Sequence, residues 1–149
     1  MSLTVHVAAP QGRLAAPRAL LVRAAQTVLR AEGIRSAELS VTFLGDRAIA
    51  AMNRRHLGHR GATDVISFGL SRPTPDAPVM GDVYVGVDVA RRAARERRIT
   101  LREELVRLVV HGTLHVLGYD HPEGESRLES EMWARQERLV ARVLRSARS

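Results

Sequence analysis

Three of the six histidines fall in one short run, His111-Gly112-Thr113-Leu114-His115-Val116-Leu117-Gly118-Tyr119-Asp120-His121. His111 and His115 are four apart, so on a helix both imidazoles leave the same face about one turn apart and can grip one ion. Gly118 can adopt the left-handed conformation that ends a helix, which lets the chain turn back and bring His121 from another direction. Three nitrogen ligands leave a fourth tetrahedral position for water, the arrangement of a catalytic zinc rather than a structural one. There is no cysteine, so thiol nucleophiles, disulfides and iron–sulfur clusters are excluded and any metal is held by His, Asp or Glu. The expected cofactor is one Zn2+ per chain on His111, His115 and His121, which act in catalysis through the water on the metal; nitrogen ligands accept other divalent ions as well. Asp120 is placed to orient an imidazole or to act as base toward that water, although a loop Asp equally satisfies backbone donors.

The spacing equals that of the metzincin peptidases, H-E-x-x-H-x-x-G-x-x-H, with one change: Gly112 stands where the general-base Glu would be. The ligand set survives and the base for peptide hydrolysis does not, which points to another scissile bond. Tyr119 adjoins the run and suits a half-buried packing role better than a catalytic one. His6, alone on a predicted strand, reads as an ordinary surface or core histidine.

The elements that position this run follow from periodicity. Leu3 to Val7 alternates like a short strand and ends at Pro10-Gln11-Gly12. Leu20, Leu21, Ala24, Ala25, Val28 and Leu29 recur at helical spacing between Pro17 and Gly33. Leu39, Val41 and Phe43 alternate in a second strand, after which Asp46 is expected to cap a short helix running to about Arg55. His56 to Ala62 is a Gly-, Arg- and His-rich loop. It leads into the β-branched strand Asp64 to Phe68, and Pro73, Pro75 and Pro78 then hold an extended connection. Val83, Val85 and Val87 alternate in a fourth strand; Asp88 is expected to cap an Arg-rich helix ending near Arg98. Thr100-Leu101-Arg102-Glu103 fits a capping box that opens the helix carrying the histidines to Gly118. A last helix from about Glu125 carries Leu128, Met132, Leu139 and Val143.

The order β-α-β-α-β-β-α-α-α, with no internal repeat and no dividing linker, predicts one α+β domain over residues 1–149: a mixed four-stranded sheet with about five helices and the three-His site at the end of a cleft. The consecutive third and fourth strands suit antiparallel pairing, and each helix-connected pair suits parallel pairing through a right-handed crossover. A chain that is 45% hydrophobic and 26% charged excludes disorder and low complexity. No apolar run is long enough for a membrane span and no export signal opens the chain, so a soluble, cytoplasmic protein is expected. The formal charge is +7, carried by 23 Arg and no Lys. Such a charge favours polyanionic partners, nucleic acid first, although an arginine bias of composition would place many of these residues on solvated surface whatever the function.

Three blocks in this order resemble the YbeY-type bacterial endoribonucleases and ribosomal RNA maturation factors. They are Met52-Asn53 through Thr63-Asp64-Val65-Ile66-Ser67-Phe68, Gly81-Asp82-Val83-Tyr84-Val85, and the run from His111 to His121. The resemblance covers most of the chain from about residue 38, and the H-G-x-L-H-x-x-G-Y-D-H string is its most specific part. It implies a compact α+β fold, zinc held by His111, His115 and His121 at one end of a cleft, and single-stranded RNA as substrate. By the same resemblance the substrate is ribosomal RNA and the partners are the small ribosomal subunit or its assembly factors. One position departs: the family's middle block has Arg before Gly, and here Leu57 precedes Gly58.

On that resemblance, Arg54, Arg55 and Arg60 are candidates to bind flanking phosphates. His59 is a candidate to donate to phosphate, and Ser67, with Thr63 and Asp82, to line the cleft. Arg91, Arg92, Arg95, Arg97 and Arg98 form a further candidate RNA-facing stripe. The leading expectation is a zinc-dependent, single-strand-specific endoribonuclease acting in small-subunit rRNA processing and ribosome quality control. Its alternative is a ribosome-assembly RNA-binding factor with weak or partner-dependent cleavage, and a metallohydrolase of peptides or small molecules ranks third because Gly112 lacks the base.

Overall fold

A computed structural model describes residues 2–119 and 126–147, the side chains of 126–130 excepted. Among the described residues nine elements follow one another: β1 (Leu3–Ala8), α1 (Arg18–Ala31), β2 (Ala37–Leu44), α2 (Asp46–Leu57), β3 (Val65–Gly69), β4 (Val79–Gly86), α3 (Val87–Arg97), α4 (Leu101–Val116) and α5 (Ser126–Ser146). They build an α+β fold around a four-stranded sheet in the order β1-β2-β4-β3.

β1 and β2 run parallel through the α1 crossover, as expected, and β3 pairs antiparallel with β4. The expected parallel pairing of β2 with β3 does not occur. β4 lies between them, parallel to β2 from Ala37↔Val79 to Leu44↔Gly86. The physical reason lies in the strands themselves. β4 is eight residues long, with Val79, Val83 and Val85 buried, and suits a central position, whereas β3 has five residues, ends in exposed Gly69 and is followed by exposed Leu70. A short strand is better placed at an edge.

Alternation along β3 and β4 sends side chains to two different layers. Val65, Val83 and Val85 join the main core with α1, α4 and α5, where Leu21, Leu29, Leu105 and Leu114 are fully buried. Each of those leucines contributes about 1.5–3 kcal/mol. Ile66, Phe68 and Tyr84 face the other way and meet Leu44, Ile49 and Met52 beneath α2. α4 and α2 therefore sit on opposite faces of the β3–β4 half of the sheet.

Two cap expectations are corrected. Gly45, not Asp46, is the N-cap of α2, and Gly86, not Asp88, that of α3. Asp88 acts across helices: its carboxylate accepts the backbone N–H of Asp46 at 2.9 Å, while Arg92 donates to both Asp46 carboxylate oxygens at 2.9 and 3.1 Å. Acids in the first turns of two adjacent helices thus satisfy each other's neighbours as well as the helix dipoles. Thr100 caps α4 as expected, accepting from the Glu103 N–H at 3.1 Å. No described helix is long and apolar enough to cross a membrane.

Candidate active site

α4 delivers His111 and His115 from its last two turns. Their Nε2 atoms are 2.9 Å apart, and the rings meet edge-on with centroids 4.4 Å apart. Two nitrogens each about 2.0–2.1 Å from a common tetrahedral ion would be roughly 3.3 Å apart. The pair is therefore close to a two-nitrogen grip on one ion, and the donor set suits zinc. Gly118 takes φ +100°. The Tyr119 N–H reaches Leu114 O at 3.1 Å and the Gly118 N–H reaches His115 O at 3.0 Å, which is a complete Schellman ending. His121 and Asp120 lie outside the described residues, and among the described residues no group of three His, Asp or Glu is poised to hold a metal.

The close approach of α4 to the sheet explains Gly112. A Cβ there would be 2.5 Å from Val83 Cγ1, 3.1 Å from Val65 Cγ2 and 3.2 Å from Ser67 Oγ. The same fit recurs one turn on, where a Cβ at Gly69 would be 2.7 Å from Val116 O and one at Gly81 2.6 Å from Val116 Cγ1. The position that departs from the peptidase pattern is thus filled by the sheet, with no room for a glutamate. Ser67, a predicted RNA contact, is brought against α4 at Gly112, and among the described residues its buried hydroxyl has no hydrogen-bond partner.

The remaining predicted contacts are dispersed. Arg54 and Arg55 lie exposed in the last turn of α2, across the sheet from α4. Exposed His59 and Arg60 follow in a loop tied down by buried Asn53, whose side-chain amide donates to Gly61 O at 2.9 Å. Gly58 ends α2 at φ +69°, and exposed His56 packs edge-on against Phe68. Of the α3 stripe, Arg92 is committed to Asp46 and Arg97 pairs with Glu104 at 3.3 Å. Among the described aromatic rings of Phe, Tyr and Trp, Trp133 is the exposed one.

Tyr119 takes the structural role: its hydroxyl donates to Glu32 at the end of α1, and Glu32 also pairs with Arg135 of α5. The bond to Glu32, then burial and the Glu32 charge, push the Tyr119 phenol above its ordinary range, against the opposing Arg135.

Two residues that sequence reasoning missed adjoin the histidines. Gln136 of α5 is 1% exposed, and its Oε1 lies 2.6 Å from His111 Nδ1. A polar residue on the otherwise apolar stripe Met132, Leu139, Val140 and Val143 was the signal available for it. Arg72, in the proline-rich connection, walls a groove of about 330 Å³ with His115, Leu117, Gly118, Leu70 and Ser71. Its Nη1 donates to Pro75 O at 3.0 Å. It also borders a second cavity of about 500 Å³ that includes Arg35. Nothing in the local sequence marks it, since its place beside His115 comes from the antiparallel return of β4.

The family model described as Endoribonuclease YbeY matches residues 11–144. A protein named Endoribonuclease YbeY from Anaeromyxobacter sp. (strain Fw109-5) is 46% identical over 141 residues, covering 91% of this chain and 72% of that protein. One of the same name from Pelotomaculum thermopropionicum is 39% identical over 150 residues, covering 95% and 97%. A solution structure of a protein from Thermotoga maritima matches the fold with a TM-score of 0.66 over 97% of this chain and 92% of that one, at 24% identity.

Proposed function

The chain belongs to the Endoribonuclease YbeY family, and from that premise we propose that it is a zinc-dependent, single-strand-specific endoribonuclease. Its proposed role is processing and maturation of small-subunit ribosomal RNA and ribosome quality control in the cytoplasm, with the small subunit or its assembly factors as partners. Membership makes it a nuclease, a hydrolase of phosphodiester bonds. The observation that carries the zinc reading is the pair of imidazole Nε2 atoms 2.9 Å apart on the last turns of α4. His111 and His115 would hold the ion, with His121 as the proposed third ligand. A divalent ion there supplies Lewis-acid polarisation of the phosphodiester and lowers the pKa of coordinated water.

This chain's own groups do the rest. Arg72 offers a guanidinium fork to a backbone phosphate in the groove beside His115. Ser67 holds a buried hydroxyl in the seat of the His helix, against Gly112. Arg54, Arg55, His59 and Arg60 contribute to a more distant, exposed phosphate-binding surface. With no exposed aromatic described near the histidines, recognition rests on backbone charge more than on base stacking.

A second reading, an RNA-binding assembly factor with weak or partner-dependent cleavage, is favoured by one feature: Leu57, 47% exposed, stands at the position where the resemblance noted in the sequence implies an arginine. The two readings separate by cleavage of a single-stranded RNA with metal-quantified protein beside His115→Ala, both checked for folding and RNA binding. About one metal per wild-type chain and cleavage that the folded, RNA-binding variant lacks is the expected result. Metal present without cleavage by the wild type overturns the autonomous-nuclease reading in favour of the factor.

A further inference from the structure

We propose that Gln136 is the positioning residue that fixes the ring tautomer of His111, and that the Arg107–Glu137 pair fixes Gln136 in turn. A buried amide needs partners for both its oxygen and its nitrogen. Gln136 Nε2 donates to Glu137 Oε2 at 3.1 Å, and Gln136 Oε1 lies 2.6 Å from His111 Nδ1.

The first contact decides the second. An ionised carboxylate only accepts, so the amide flank turned to Glu137 is the NH2 and the carbonyl oxygen is left for His111. A carbonyl oxygen cannot donate, so Nδ1 carries the proton. A neutral imidazole has one N–H, and Nε2 therefore presents its lone pair. Nε2 is the atom that faces His115 Nε2 at 2.9 Å.

Glu137 is kept in its acceptor-only form by Arg107, whose Nε and Nη2 donate to its two oxygens at 2.9 and 2.8 Å. This bond is the main cause holding the Glu137 carboxyl below its ordinary range. Arg107 is itself anchored by Glu103 at 3.0 Å and Glu104 at 3.3 Å, both on α4. The chain of contacts thus leaves α4 at Arg107, crosses α5 through Glu137 and Gln136, and returns to α4 one turn later at His111. Outer partners of this kind orient metal-binding histidines, and their loss costs roughly 10–100-fold in affinity.

The use made of the lone pair rests on the zinc reading above; the tautomer itself does not. The test is therefore made first on metal-free, 15N-histidine-labelled full-length protein, reading the ring nitrogens of His111 by long-range 1H–15N correlation. The wild type is expected to show Nδ1 protonated and Nε2 bare. Gln136→Leu is expected to shift His111 toward the Nε2–H form, and Gln136→Glu, which keeps an acceptor at the same place, to retain Nδ1–H. Zinc affinity, measured by competition with a chromophoric chelator, is expected to fall about 10–100-fold in Gln136→Leu and to recover in Gln136→Glu. An Nε2–H ring in the wild type overturns the proposal without any variant having to fold. An unchanged ring and unchanged zinc affinity in folded Gln136→Leu overturns it as well. If the tautomer is as stated and the wild type binds no zinc, the zinc reading fails and the positioning of His111 by Gln136 stands.

Discussion

The first half of α4 is held by side chains alone, and its last two turns add to buried Leu114 a backbone approach that missing side chains allow. Between Leu101 and Val110 the helix buries Leu105, Leu108 and Val109 in the main core and clamps Arg107 among Glu103, Glu104 and Glu137. Between His111 and Gly118 it lies so close to the sheet that Gly112, and Gly69 and Gly81 opposite Val116, leave no room for a Cβ. Ordinary ridge-and-groove packing suffices for stability. The last turns need the closer approach because they carry two imidazoles that must converge, and a rigid backbone seat limits how far either ring can drift. Charge is spent differently too. Near the start it ties α4 to α5, and near the end the same network reaches His111 through a neutral amide.

The sharpest way to break this contrast is at the rings. His111→Ala or His115→Ala is expected to reduce zinc content and RNA cleavage by more than the roughly 10–100-fold that follows loss of an outer partner. The fold should survive, because neither ring is part of the apolar core; metal analysis and circular dichroism on the same sample check both. Full zinc occupancy in both variants would remove the functional half of the comparison.

Next in size is the glycine seat. Gly112→Ala should gain about 1 kcal/mol of helix propensity and lose about 1–3 kcal/mol to overpacking against Val83, a net destabilisation of up to about 2 kcal/mol. Gly112→Glu should be worse and should not create a peptidase. Urea midpoints report the order, and an Ala variant more stable than wild type would show that the close approach is not tight.

The charged half predicts an acid response. Because the Glu137 carboxyl is held below its ordinary value of 4.5, its pairing with Arg107 contributes fully above that value and is lost as pH falls through the depressed one. Thermal melts between about pH 6 and 3 should show the wild type losing stability more steeply than Glu137→Gln. Equal slopes would mean the pair contributes nothing.

The smallest effects belong to single phosphate contacts. Arg72→Ala should lower the salt slope of RNA binding by about one, and Leu57→Arg should raise it by about one if that position faces the RNA. Filter binding across a salt series would show either; an unaltered slope for Arg72→Ala would move the substrate path away from that groove.

Much of this arrangement is written in short-range pattern. The helical stripe of α4, the Thr100 cap and the left-handed Gly118 follow from residues within one or two turns of each other, where 3.6-residue geometry and backbone sterics decide the outcome. The α1 crossover between parallel β1 and β2 was legible for the same reason. The caps of α2 and α3 are not legible locally, because Asp46 and Asp88, both good cap residues, serve one another's neighbourhood across 42 positions of sequence.

By itself, then, the sequence determined that two imidazoles would share one helix face, that no thiolate could assist them, and that the chain would carry a surplus of arginine. The tertiary structure alone decided that β4 enters between β2 and β3, that Gly112 is demanded by Val83 and Ser67, and that Gln136 meets His111. It likewise decided that Arg72 reaches the groove by His115 while Arg54 and Arg55 lie across the sheet. Periodicity fixes which residues share a face, because bond geometry repeats along the chain. Which faces then meet depends on the order in which strands and helices pack, a choice made by total burial and not by any one segment.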